Sequence, residues 1–240
     1  MRKIDVLNVK FDNVTMDEAV EYALECIDRH QAAYAVTPNP EIVMEALGND
    51  RLMEALDSAA LVLPDGVGIV YGARILGTPL REKVPGIDFV DELMSRLAKR
   101  NGSVYLFGAK PGVALEAGEV LAKKHSGLVI CGCADGYFTD DSGIIEEINS
   151  KKPDLLLVCL GFPKQEIWMY DHKEELDVGL MAGLGGSLDV FAGHVSRAPV
   201  SWQKLGLEWL YRLIKQPSRI GRMMRLPVFL LRVIKKRVIK

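Results

Sequence analysis

Short apolar runs alternate with amphipathic stretches along most of this chain of 240 residues. Tyr34-Ala35-Val36, Leu61-Val62-Leu63 and the runs at 103–107, 128–131, 155–160 and 178–182 are bounded by Pro, Gly or other turn formers, and residues 3–9 alternate as a first strand. Runs this short and apolar predict strands, buried on both faces where alternation is lost. Between them apolar residues recur at helical spacing. Ala19, Val20, Ala23, Leu24 and Ile27 follow a capping box of Thr15 and Glu18, and Ile42, Val43, Ala46, Leu52, Met53 and Leu56 share one face of a helix over 41–56. Further helices are expected over 66–76, 88–99 and 144–149. Strand–helix alternation over nearly 195 residues predicts an α/β body with a mostly parallel sheet and helices on both of its faces.

In such a Rossmann-like sheet, ligands bind beyond the carboxyl ends of the strands. Two strands end at Thr37-Pro38-Asn39-Pro40 and Leu63-Pro64-Asp65-Gly66, so Thr37 and Asp65 are expected to share one crevice. Asp65 is the candidate base, because desolvation in a crevice raises a carboxyl toward a useful range; the bland alternative is an ordinary Pro-Asp-Gly turn. Three Gly-bearing turns, Gly108-Ala109-Lys110-Pro111-Gly112, Gly161-Phe162-Pro163-Lys164-Gln165 and Gly183-Leu184-Gly185-Gly186-Ser187, lead toward helices whose free N–H groups suit a diphosphate. None matches a dinucleotide or P-loop fingerprint, and each could be a tight turn that needs Gly. Pro163 would start a helix at its first position, Lys164 could neutralise phosphate, Gln165 could meet a sugar hydroxyl, and Glu166 reads as a solvated first-turn residue. Tyr137 could stack on a base or pack locally; Asp189 could hold a ribose or lie on a helix surface. Asp140 and Asp141 read as a helix cap rather than metal ligands.

Past residue 195 the pattern changes. Leu205, Leu207, Trp209, Leu210, Leu213 and Ile214, then residues 226–231, Val233 and Ile234, are interleaved with Lys and Arg. Of the chain's 30 basic and 32 acidic side chains, residues 197–240 hold twelve and one, a net +11 against −13 for the rest. No apolar run approaches the roughly 20 residues needed to span a bilayer. Interleaved aliphatics on a basic segment favour an anionic membrane surface over nucleic acid, with Trp209 and Tyr211 at headgroup depth. Residues 1–195 are therefore read as the catalytic body and 196–240 as a membrane-docking amphipathic appendage, whose removal should leave a folded, nearly inactive core. Met1 to Leu7 lack the apolar core of a secretory leader, so none is expected. Cys26, Cys131, Cys133 and Cys159 form no disulfide or zinc pattern.

Taken together, Thr37-Pro38-Asn39-Pro40, Leu63-Pro64-Asp65-Gly66, Val84-Pro85-Gly86-Ile87-Asp88, Gly161-Phe162-Pro163-Lys164-Gln165-Glu166 and Gly206-Leu207-Glu208-Trp209-Leu210-Tyr211-Arg212-Leu213 resemble the WecG/TagA/CpsF family of bacterial glycosyltransferases, over nearly the whole chain. The resemblance implies transfer of N-acetylmannosamine, or its uronic acid, from a UDP donor to N-acetylglucosamine-diphospho-undecaprenol. It implies an inverting β-1,4 transfer with no metal or other cofactor, on the cytoplasmic face of the cell membrane. It implies Asp65 as the base with Thr37 placing it, Asn39 and Gln165 on substrate, and Tyr137 and Asp189 on uridine. Lys83 stands where the family usually has Arg, keeping the charge without the bidentate fork. Asp88, Gly108 and Lys164 are further substrate-binding candidates, and Arg212, Arg219 and Arg222 match tail arginines that reach into the site. A non-catalytic nucleotide-binding module with a lipid-docking tail is the rival class, and the polar cluster at the strand ends weighs against it. An NAD-type oxidoreductase is disfavoured by the missing fingerprint. Partners expected are the UDP-sugar, the lipid-linked acceptor and the anionic membrane; no nucleic acid is expected, and the oligomeric state, a homo-oligomer included, is left open.

Overall fold

A computed structural model describes residues 1–30, 32–217 and 220–239, with the side chains of Arg222 and Met223 outside that description. The chain opens with a hairpin, β1 (Lys3–Val6) and β2 (Val9–Asp12), not with a single strand of the main sheet. Leu7 and Asn8 between them both have positive φ, 53° and 72°, as the favoured two-residue hairpin turn requires. The alternation of residues 3–9 masked that turn, since no Gly marks it. The hairpin covers one sheet edge: the Asp12 carboxylate, fully buried, accepts the Val62 N–H at 2.9 Å.

Helix α1 (Met16–Arg29) starts at the expected capping box, and β3 (Ala33–Val36) follows. The helix expected over 41–56 is two, α2 (Pro40–Ala46) and α3 (Asp50–Asp57), because Asn49 leaves the helix and caps the second by accepting the Leu52 N–H at 3.1 Å. Then come β4 (Leu61–Val62), α4 (Val67–Ile75), α5 (Gly86–Ala98), β5 (Ser103–Gly108), α6 (Val113–Lys124), β6 (Val129–Ala134), α7 (Ser142–Lys151), β7 (Leu155–Cys159), α8 (Lys164–His172), β8 (Leu180–Gly183) and α9 (Ser187–Phe191).

The six-stranded sheet has the order β4-β3-β8-β7-β5-β6, and every neighbouring pair is parallel. All the loops singled out above that follow strands therefore leave from one edge. Period-two alternation sorts the strands' side chains into two layers. Tyr105, Phe107, Leu156, Val158 and Met181 pack beneath the hairpin, α2, α3, α4 and α8. Val104, Leu106, Leu155, Leu157 and Leu180 pack beneath α1, α5 and α6.

The C-terminal segment forms α10 (Val200–Lys204), α11 (Glu208–Lys215), α12 (Ile220–Met223) and α13 (Arg225–Ile239). Phe229 and Val233 of α13 are fully buried among the first layer's residues, and a Cβ on Gly72 of α4 would lie 3.0 Å from the Phe229 ring. Arg225 pairs with Glu45 at 2.6 Å and Lys236 with Asp5 at 2.7 Å. Two such apolar side chains stabilise docking by about 1.5–3 kcal/mol each, so cutting off the segment uncovers part of the core. Leu231 and Val238 remain 66% and 80% exposed. No described helix is long and apolar enough to cross a membrane.

Candidate active site

The site begins where β3 and β4 end. Leu63 donates its N–H to the Val36 carbonyl at 2.8 Å, which prolongs the strand pairing to the Pro64-Asp65 turn. Gly66 then bends the chain into α4 at φ +84°, a conformation that suits glycine. The Asp65-Gly66 turn abuts Asn39 and Pro40, and Val84 N–H donates to Pro64 O at 3.0 Å, which brings the loop carrying Lys83 alongside. Asp65, Thr37 and Asn39 thus stand at the ends of adjacent strands, as their motifs predicted.

Their side chains are held differently. Asn39 caps α2, its Oδ1 accepting the Glu41 and Ile42 N–H groups at 2.9 and 3.1 Å. Thr37 Oγ1 donates to Gly183 O at 3.4 Å, and Gly86 at the start of α5 approaches it so closely that a Cβ there would lie 2.9 Å from the Thr37 methyl.

Asp65 lines a cleft of about 180 Å³ with Asn39, Arg197, Glu208, Trp209 and Arg212. Burial pushes its carboxyl up to about 6; the positive charges of Arg212 and Lys83 pull it down, and Glu208 pushes it up again. Lys83 Nζ meets Glu208 at 3.2 Å, Arg197 Nε meets the other oxygen of Glu208 at 3.3 Å, and Arg197 grips Asp88 with two guanidinium nitrogens, one at 2.7 Å. Asp88 is thus an anchor for Arg197, a partner that no motif had suggested.

Arg212 also borders a second cleft, with Asp189, Ser196, Tyr211 and Lys215. The two recesses adjoin at that arginine. Trp209 lines the first and Tyr211 the second, and the Tyr211 ring meets that of Trp202 edge-on at 5.8 Å. Both are half-buried and line these clefts. Arg219 and the side chain of Arg222 lie outside the described residues.

The other Gly-bearing turns are more occupied than their sequences suggest. Gly108 has φ +124°, and a Cβ there would fall 2.3 Å from the Cys159 carbonyl oxygen, so the glycine permits β5 and β7 to approach. The Ala109 N–H donates to that same carbonyl at 3.1 Å. Pro163, joined to Phe162 by a cis peptide, is the cap residue of α8 rather than its first position. Lys164 Nζ lies 3.7 Å from the centre of the Phe138 ring. Gln165 is buried and ties two loops together, its Nε2 donating to Glu166 at 2.9 Å and its Oε1 accepting the Gly185 N–H at 2.8 Å.

Glu166 is not the solvated residue expected. It is 1% exposed, burial pushes its carboxyl up to about 7, and its Oε2 has no hydrogen-bond partner among the described residues. Its spacing of three from the buried Met169 was the available signal. Tyr137 is 70% exposed, its N–H donating to Asp135 at 2.8 Å. It follows β6, five strands from β4, roughly 24 Å at ~4.8 Å per strand; the sheet order separates it from Asp65, and Asp189 keeps company with Tyr211 instead.

Comparison with known proteins covers the whole of this arrangement. The sequence model of the Glycosyl transferase WecG/TagA/CpsF family matches residues 4–240. The N-acetylglucosaminyldiphosphoundecaprenol N-acetyl-beta-D-mannosaminyltransferase of Bacillus spizizenii is 36% identical over 209 residues, spanning 87% of this chain and 81% of that protein. The protein of the same description from Staphylococcus aureus strain MW2 is 35% identical over 242 residues, spanning 99% of this chain and 95% of the relative.

Proposed function

Because this chain belongs to the WecG/TagA/CpsF family of glycosyltransferases, we propose that it moves N-acetylmannosamine from UDP-N-acetylmannosamine to N-acetylglucosaminyl-diphospho-undecaprenol in wall teichoic acid linkage-unit synthesis. The observation that carries this reading is Asp65, a carboxyl pushed up to about 6 in a cleft bordered by cationic side chains.

Asp65 takes the proton of the acceptor's 4-hydroxyl as that oxygen attacks the anomeric carbon of the donor. The bond from that carbon to the diphosphate breaks on the opposite face, giving inversion, a β-1,4 bond and free UDP. Arg212 and Lys83 meet the charge that grows on the departing diphosphate, so the transfer runs without a metal or other cofactor. Asn39 and Pro40 abut the turn that carries Asp65, and Thr37 ties the end of β3 to Gly183. Asp189 and Tyr211, across Arg212, suit the nucleoside end of the donor.

The acceptor's lipid stays in the bilayer. The outward Leu231 and Val238 of α13, among basic neighbours, dock the enzyme peripherally on the inner face of the membrane. Incubation with a panel of UDP-sugars and a short-chain N-acetylglucosamine-diphospho-lipid, with products weighed, tests the reading. The N-acetylmannosamine donor should give the disaccharide lipid and UDP, equally well in EDTA. Product from the uronic-acid donor alone would reassign the donor, and absence of product from any donor would overturn the transfer.

A further inference from the structure

Glu208 is the single acidic residue among positions 197–240, and it points its charge at the place where a transferase would least want one. Its carboxylate lines the cleft of Asp65 and lies between two cations, Lys83 at 3.2 Å and Arg197 at 3.3 Å, with Arg212 bordering the same space. All three side chains of this bridge are largely withdrawn from solvent, 23% exposed for Glu208, 25% for Lys83 and 22% for Arg197. Arg197 is held from behind by Asp88, so its guanidinium keeps its position whether or not Glu208 stays. Lys83 is carried by a loop pinned to Pro64.

We infer that Glu208 is a displaceable counter-anion, its carboxylate standing between Lys83 and Arg197 in the place that the donor's diphosphate takes. The inference rests on the nucleotide-sugar reading given above. A carboxylate and a diphosphate cannot both stay between the same two cations, because like charges a few ångström apart in a half-buried cleft repel strongly. Binding the donor therefore exchanges one anion for another and frees the start of α11 from Lys83 and Arg197. Before the donor arrives, Glu208 keeps the two cations from repelling one another and holds the cleft open. The exchange makes donor affinity a difference between two ionic contacts, so a site rich in positive charge still releases UDP after transfer. It also couples the anionic ligand to the segment that carries Trp209 and Arg212.

The test is UDP binding by calorimetry to full-length wild type, Glu208→Gln and Glu208→Ala, with thermal unfolding of each measured without nucleotide. Wild type should bind UDP, and the variants should bind it more tightly, by roughly three- to tenfold, the gap narrowing as salt is raised. Equal or weaker binding by variants that unfold at the wild-type temperature would overturn the exchange. Loss of the fold in both variants would do so too, since the carboxylate would then be an anchor of α11. Wild type that binds no UDP at any salt would strike the nucleotide-sugar reading itself.

Discussion

Asp65 and Arg212 line the same cleft, although one ends a strand of the body and the other sits on a helix of the C-terminal segment. The arginine's charge pulls the Asp65 carboxyl down against the burial that raises it to about 6. A buried carboxyl and the charge that lowers it thus come from segments far apart in the chain.

On the proposed mechanism, replacing Asp65 by Asn removes the proton acceptor while keeping the shape of the turn. Turnover should fall by roughly 10²–10⁴-fold, the usual contribution of a positioned base, with UDP affinity changed little. Single-turnover assays beside UDP titrations check this, and near-normal turnover would refute the assignment.

With Asp65 as base, kcat/KM should climb as pH rises through about 6. Arg212→Gln takes away a charge that lowers this carboxyl, so the acidic limb of the profile should move to higher pH and the maximum rate should drop. A variant whose limb stays in place would show that Arg212 does not act on Asp65.

Glu166 titrates higher in the folded chain, about 7, than its ordinary value of 4.5. The folded state therefore holds its proton more tightly than the unfolded one. That stability is fully present below about pH 4.5 and is lost as pH rises through 7. Glu166→Gln removes the ionisation, so at pH 8 the variant should be more stable than wild type, by up to about 3 kcal/mol. Urea unfolding at pH 5 and pH 8 measures the difference; parallel pH dependence in the two proteins would exclude the buried-acid account.

The two faces of α13 should separate experimentally. Phe229→Ala empties a fully buried position and should cost about 3–5 kcal/mol in urea unfolding. The exposed pair Leu231→Asp and Val238→Asp should leave unfolding nearly unchanged while abolishing flotation with anionic vesicles. Retained flotation would place the membrane contact elsewhere.

Much of the body was legible from local pattern. The strands β3, β5 and β7 and the Thr15 cap follow from apolar runs and turn chemistry that act within a few residues, and the strand-end motifs put Thr37 and Asp65 together because parallel strands all end at one edge. Local signals are silent at two places. A hairpin turn made by Leu7 and Asn8 carries no glycine, and the break at Asn49 interrupts an apolar spacing that continues through it.

What the amino-acid sequence determined by itself is the α/β alternation, the basic amphipathic end and the polar residues at strand ends, since each depends on periodicity and near neighbours. Only the tertiary structure decided that Gln165 and Glu166 are buried partners, that Trp209 lines the cleft of Asp65, that Asp88 grips Arg197, and that Glu208 lies between Lys83 and Arg197. Those outcomes rest on burial and charge contacts between residues far apart in the chain. Such contacts exist only after the sheet order and the docking of the last helices bring their elements together.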